Sequence, residues 1–422
     1  GTVFDAGSGV DTVLVNGEPA LVLDDGRFTA WVDLKEGVTL VQVVATDEDG
    51  NEATDTRAVL QGTFVPAETP VENAAAARVN DQTLAAIGDI AAEVITGTDL
   101  GAAIQPFNPM LDKGFSCLNV QLSVDDVQKS MVVIDLVPTW GGISVSADVY
   151  DLAVPMTADF EAVCIDGSAG VELTASRFHM EGTMLLSVDA NDRLAADIQM
   201  AQAFFEDFNL DVGVIPGSVI ELFYADIDDL VAGMLIGQIS EKVPAMIEQQ
   251  FGGFGIEKSV TLYGMDVDFA VKPVSVDFTP QGGTVVLDSR IEVKGEAVVS
   301  GPGYLSTPAS LPLMPSSEAP GDGFRLALAD DVLNQALSAF WAAGVFEQSF
   351  AAGADSDVGL AALVDRVDLT MPFPPTVAAQ AIGAAASVTA GDLRLDVIRI
   401  DPATGEEQVV TALALSAEID PR

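Results

Sequence analysis

The chain of 422 residues carries 64 acidic against 18 basic residues, a net charge of −46, with 49% hydrophobic but only 6% aromatic residues and a mean hydropathy of +0.35. A field of that sign repels phosphates, which excludes nucleic acid and charge-driven binding to anionic membranes, and it fits solubility in a salty medium. One histidine, His179, and two cysteines, Cys117 and Cys164, lacking CxxC or HxxxH spacing, leave no transition-metal site or cofactor to predict.

Position 1 is Gly, and neither a leader nor a run of about 20 apolar residues is read in the chain, which predicts a piece of a longer exported protein. In that setting Cys117 and Cys164 have two readings, one disulfide or two buried thiols.

Residues 1–65 read as a small all-β module. Alternating Thr12–Val15, Phe28–Val32 and Leu40–Ala45 are separated by turn signals at Asn16-Gly17, Asp24-Asp25-Gly26, Glu36-Gly37 and Glu48–Asn51. Short, evenly spaced strands of this kind predict a sandwich. The segments DAGSGV, VNG, DDGRFTAWVDLKEG and VVATDEDGNEAT resemble bacterial immunoglobulin-like modules, which implies a spacer or adhesion role.

After a short linker, PAETPVEN, a helix is predicted from Ala74 to about Ile95, with Ile87, Ile90 and Val94 on its apolar side. Residues 117–216 alternate in long runs. Ile143, Val145, Ala147 and Val149 keep one phase, and Leu152, Val154, Met156, Ala158 and Phe160 the other, a slip that predicts a β-bulge. Val171, Leu173 and Ala175, then Phe178, Met180, Met184 and Leu186, repeat it; a third run holds Leu194, Ala196, Ile198 and Met200, then Phe204 and Phe208. Such long, one-sided strands curl around something.

Gly217–Phe251 predicts one helix of unusual length, roughly 45 Å at 1.5 Å per residue, with Ser218 as N-cap, Glu221 as its capping-box partner and Pro244 as a kink. Ile220, Phe223, Ile227, Val231 and Met234 recur on its apolar face; Asp226, Asp228, Asp229, Glu241 and Glu248 form a polar back. It either fills an ordinary core or lids an apolar cavity.

Strands follow through residues 260–299, then a Pro-rich linker at 301–323, a second apolar helix at 324–350 and strands at 363–371, 392–400 and 408–419. Asp330 and Leu333 repeat the placement of Asp81 and Leu84, which suggests two related halves, the second cut short. His179 alternates with Phe178 and Met180 and is expected to be solvated. No GxSxG elbow occurs, and no Ser or Cys has a motif-level partner, so no enzyme is expected.

This order of elements resembles the bactericidal/permeability-increasing family of tubular lipid-binding (TULIP) proteins. Leu328–Phe346, with Asp330, Asn334, Ala343, Gly344 and Val345, is similar to the helix opening that family's second barrel, and Ala77–Leu84 to the helix opening its first. The resemblance implies an α+β fold with long, highly curved antiparallel sheets wrapped around long helices. It has a complete first barrel at 74–300 with lid helix 218–250, a partial second barrel at 324–422, and a central sheet near 255–300 shared by both. It further implies an apolar tunnel between helix 218–250 and the curved strands. Two departures stand out. Neither cysteine lies in 218–250, and the strong acidity argues against lipopolysaccharide as ligand.

The expected function is therefore non-catalytic binding or transfer of a lipid or other long apolar ligand by an exported bacterial protein, extracellular, periplasmic or on the outer surface, with transient contact to a membrane surface. The competing expectation is a structural or adhesive surface protein with a solidly packed barrel. Ile87, Ile90, Val94, Val145, Val149, Met156, Met180, Met184, Ile220, Phe223, Ile227, Val231 and Met234 are the expected tunnel wall, the methionines as adaptable lining.

Overall fold

The computed structural model describes residues 1–251, 255–307, 323–351, 364–378, 387–401 and 404–419. The N-terminal module is one four-stranded antiparallel sheet, Glu18–Pro19, β1 (Val10–Val15), β2 (Gly37–Asp47) and β3 (Glu52–Gln61), in that order. Facing it is only the short hairpin of Leu21–Val22 and Phe28–Thr29, so the second layer of the expected sandwich is slight and Trp31 stands fully exposed. The module is docked on the chain's last strands: Val38 N donates to Thr376 Oγ1 (3.0 Å) and Ala58 N to Asp392 Oδ1 (2.9 Å).

The expected helix from Ala74 begins later. Val71–Val79 is strand β4, and Asn80 caps helix α1 (Asp81–Gly97), its side chain accepting from Thr83 N at 3.0 Å. Ala74–Ala77 score as helix formers, but all four are buried. Small side chains let this strand sit inside a sheet covered on both faces, and that tertiary demand overrides propensity.

A seven-stranded antiparallel sheet forms the first half. Its strands are β5 (Leu111–Phe115), β6 (Leu118–Val124), β7 (Met131–Thr139), β8 (Gly142–Ala162), β9 (Ile165–Val188), β10 (Leu194–Glu206) and Asn209–Asp211. β8 and β9 are 21 and 24 residues long. The phase slip in β8 is real, but its β9 partner slips with it: Tyr150 pairs with Arg177 and Leu152 with Ala175. Asp151 is the pivot, at φ 51°, and Asp207 after β10 takes the same conformation. Each carboxylate accepts from a serine beside it across the sheet, Asp151 from Ser130, just before β7, at 2.7 Å and Asp207 from Ser176 of β9 at 2.8 Å. Asp tolerates the left-handed region better than most residues, so the line of curvature is set by two aspartates. A true register shift occurs in β9–β10 between Glu181 and Thr183.

The expected single helix 217–251 is two pieces. Gly217–Ile220 forms one turn, residues 221–226 are turns, and α2 runs Ile227–Phe251. Ser218 is not its cap. Asp226 O accepts from Leu230 N (2.9 Å), Lys113 Nζ holds the Asp226 carboxylate at 2.6 Å, and Asp228 and Asp229 lie in the first turn, where the helix dipole favours acids. By length and hydropathy α2 could cross a membrane; here Val231, Leu235, Ile239, Val243 and Ile247 are buried against the barrel.

A five-stranded central sheet, β11 (Ile256–Leu262), β12 (Met265–Thr279), β13 (Gly282–Val293), β4 and β14 (Phe324–Leu328), joins the two halves. Helix α3 (Asp330–Ala342) ties this sheet to the C-terminal strands through buried amides. Asn334 Oδ1 accepts from Val377 N (2.7 Å) while its Nδ2 donates to Val377 O (3.0 Å). Gln335 Oε1 accepts from Ile291 N (2.9 Å) and its Nε2 donates to Thr69 O (2.8 Å). A second curved sheet holds β15 (Arg366–Thr370), β16 (Ser387–Ile400) and β17 (Glu407–Ile419), with Gln348–Ala351 and Thr376–Ala378. Most of the Pro-rich linker lies outside the described residues; Tyr304–Ser306 at its start pairs with Thr63–Val65.

Candidate functional site

The concave face of the first sheet, α1 and α2 enclose one continuous apolar cluster. Ile87, Val145, Val149, Met156, Met180, Met184, Phe223, Ile227, Val231 and Met234 are buried in it, and Ile220 packs against it half-buried. Ile90 and Val94 do not reach it, being 46% and 47% exposed. The reason is local. Helix α1 meets the sheet through Gly88, where a Cβ would lie 2.6 Å from Ile134 O, and that close approach turns Ile90 and Val94 outward.

Where the resemblance implied a tunnel, side chains meet. Phe178, Met180, Met184 and Phe223 have no exposed surface. Five surface clefts stand out in the structure, and none is lined by any of the thirteen expected wall residues. One, of about 780 Å³, opens in the N-terminal module between its sheet and the Phe28–Val32 segment.

The cluster is less closed along one line. Edge strand β10 turns Leu194, Ala196, Ile198, Ala201, Ala203 and Phe205 inward, with Leu194, Ala196, Ile198, Ala203 and Phe205 opposite Val188, Leu186, Met184, Met180 and Phe178 of β9. These β10 residues, with Leu230, Ile236 and Met246 of α2, pack on the cluster but stay half-buried. β10 packs beside α2, and its half-buried side chains form an apolar seam along the helix. Glu248, expected on a water-facing back, instead accepts from Ala196 N at 2.8 Å and ties the two elements. Asp228, Asp229 and Glu241 are exposed as expected for the polar back.

None of the half-buried seam residues of β10 stood among the expected wall. The signal was there in the alternation, but the shift beside Gly182 changes its phase. Phe205 therefore faces inward, 5.2 Å from the Phe178 ring, while Phe204 turns out.

Phe204 covers His179 on the convex face, with ring centroids 4.9 Å apart. Contrary to expectation, His179 is buried. Its Nδ1 lies 2.6 Å from Asp148 Oδ1 and 3.1 Å from an Arg177 nitrogen, and its Nε2 lies 3.1 Å from Glu181 Oε1. Burial disfavours the imidazolium, but the hydrogen bonds to Asp148 and Glu181 outweigh it and raise the pKa. The group is an ion-pair network of Arg177, Asp148, His179 and Glu181. Cys117 and Cys164 form a disulfide joining the β5–β6 and β8–β9 turns, which resolves the two readings of the cysteines.

Residues 1–62 match the model of glucodextranase domain B. No curated protein matches the chain. Among solved structures, lipopolysaccharide binding protein is similar at 13% identity and TM-score 0.41, over 82% of this chain and 78% of that one. Latherin aligns at 12% identity and TM-score 0.23, over 39% of this chain and 86% of its own. P47 of Clostridium botulinum E1 aligns at 9% and 0.21, over 84% of each. At such identities and scores these are distant likenesses, and the seam and the packed interior stand on their own geometry.

Proposed function

We propose that the chain binds a lipid or similar long apolar ligand non-catalytically, with the acyl chain lying in the seam between α2 and β10. The observation that carries this reading is the half-buried apolar line of Leu194, Ile198, Ala203 and Phe205 along β10, the edge strand beside α2, continuous with the barrel's interior. Transfer of a ~16-carbon chain from water yields on the order of 10 kcal/mol at ~0.8 kcal/mol per CH₂, enough to displace some of the seam's own contacts with few polar groups. Met180, Met184 and Met246 are unbranched and can repack around such a chain. The ligand enters by parting α2 from β10 rather than by filling an existing void. The disulfide fits a protein working in an oxidising compartment outside the cytoplasm.

A second reading, a surface scaffold without ligand, is favoured by the complete burial of Phe178 and Phe223 at the centre of the barrel. Native mass spectrometry of the gently purified chain separates the two. Lipid-sized adducts released on mild activation support binding; a bare chain from every preparation supports the scaffold.

A further inference from the structure

The two turns joined by the disulfide carry apolar residues where turn chemistry asks for polar ones. In the β8–β9 hairpin the two connecting residues are Val163 and Cys164, at φ 53° and 59°. Tight hairpins at these angles favour Asn and Gly, and a β-branched residue there is a genuine outlier. Val163 is nonetheless 85% exposed at the apex, so packing does not hold it there; the bridge from Cys164 to Cys117 of the neighbouring turn does. On either side stand Phe115, 71% exposed, and Ile165, 70% exposed.

Cross-strand register shows what these residues belong to. Phe115 pairs with Leu118, Leu118 with Ala162 and Ala162 with Ile165, one row across four strands on one face of the sheet. Leu118 and Ala162 pack against the barrel's apolar cluster, so Phe115 and Ile165 are the exposed ends of a row whose middle is interior. The crown is thus a convex, rigid outlet of the core. Its charged neighbours, Asp112, Glu161 and Asp166, are acidic, Lys113 is engaged by Asp226, and the whole chain is at −46. That charge pattern selects against an anionic surface.

We propose that Phe115, Val163 and Ile165 insert into the headgroup–acyl boundary of a zwitterionic or neutral lipid surface, presenting the end of the barrel to it. A convex apolar tip framed by like charge suits a deformable lipid interface, and its continuity with the core gives a lipid surface an apolar route toward the interior. The inference goes with the lipid-binding reading but does not share its site, since the seam lies along α2 and β10.

The test is flotation of the full chain with phosphatidylcholine vesicles, alongside uptake of a fluorescent fatty acid in vesicle-free buffer. The wild type floats with the vesicles. Val163→Asp/Ile165→Asp, with its disulfide and circular dichroism intact, loses vesicle association by roughly tenfold or more, as expected for removal of apolar anchors, and keeps fatty-acid uptake. In Val163→Trp, the tryptophan emission shifts to the blue on vesicle addition. Absence of wild-type flotation, unchanged flotation of the double variant, or a concentration-dependent dimer lost in that variant in place of vesicle binding would each overturn the proposal. Loss of uptake with retained flotation would sink the seam reading alone.

Discussion

Asp148 Oδ1 lies 2.6 Å from Nδ1 of His179, in register across β8 and β9 and beneath the ring of Phe204. His179 is the chain's single histidine, so this pair concentrates its histidine titration on the convex wall of the barrel. Its raised pKa fixes the sign of the pH dependence. A proton bound more tightly in the folded state stabilises that state fully below the unfolded value, near 6.5, and the contribution fades as pH rises through the higher folded value. Thermal melts of wild type and His179→Gln should differ most at about pH 5.5 and converge by about pH 9. A gap that widens with pH would reverse the assignment.

The disulfide spans 47 residues of sequence, for which loop-closure entropy gives at most about 4 kcal/mol. The two turns it joins are already neighbours through the β6–β8 pairing, so the predicted loss in Cys117→Ser/Cys164→Ser is about 2–4 kcal/mol. Urea unfolding monitored by circular dichroism reads it directly.

Gln335 has no exposed surface and its amide contacts Ile291 N, Thr69 O and Ala67 O, which come from β13 and the segment before β4. Truncating it leaves the buried Ile291 N–H and the part-buried Ala67 and Thr69 carbonyls without this partner. Gln335→Ala should cost about 2–4 kcal/mol, against under about 1 kcal/mol for an exposed control such as Gln249→Ala. Equal effects in denaturant melts would mean the amide is not the tie described.

Met184 lies at the closed centre of the cluster, and Met184→Ala should destabilise by about 2–5 kcal/mol through the void it leaves. If the void is lined as the structure indicates, a short apolar ligand should recover part of that loss in a thermal-shift assay.

Much of this architecture was legible in the residues. The long alternating runs became β8, β9 and β10, and the slip between Val149 and Leu152 marked a real pivot at Asp151. Alternation showed a slip in each of the two runs but not that the two lie opposite each other, because register is a property of two strands. Ala74–Ala77 misled through composition: only the flanking strands β13 and β14 make a polyalanine stretch a buried strand. The break before Ile227 escaped because Asp226, Asp228 and Asp229 fit the polar side of a continuous helix as well as they fit a helix start. Ten of the expected wall residues are core, yet the half-buried line most accessible to a ligand was missed, since the shift beside Gly182 decides which of Phe204 and Phe205 turns inward.

Ala203 lies on that line, opposite Met180, with only a methyl group to occupy it. Titration of a fluorescent long-chain fatty acid into wild type and Ala203→Trp therefore tests ligand binding in the seam most directly. Saturable uptake by the wild type, reduced roughly tenfold or more in a folded Ala203→Trp as bulk fills the site, is the predicted result. Absence of saturable uptake by the wild type, or equal uptake by both, would contradict it.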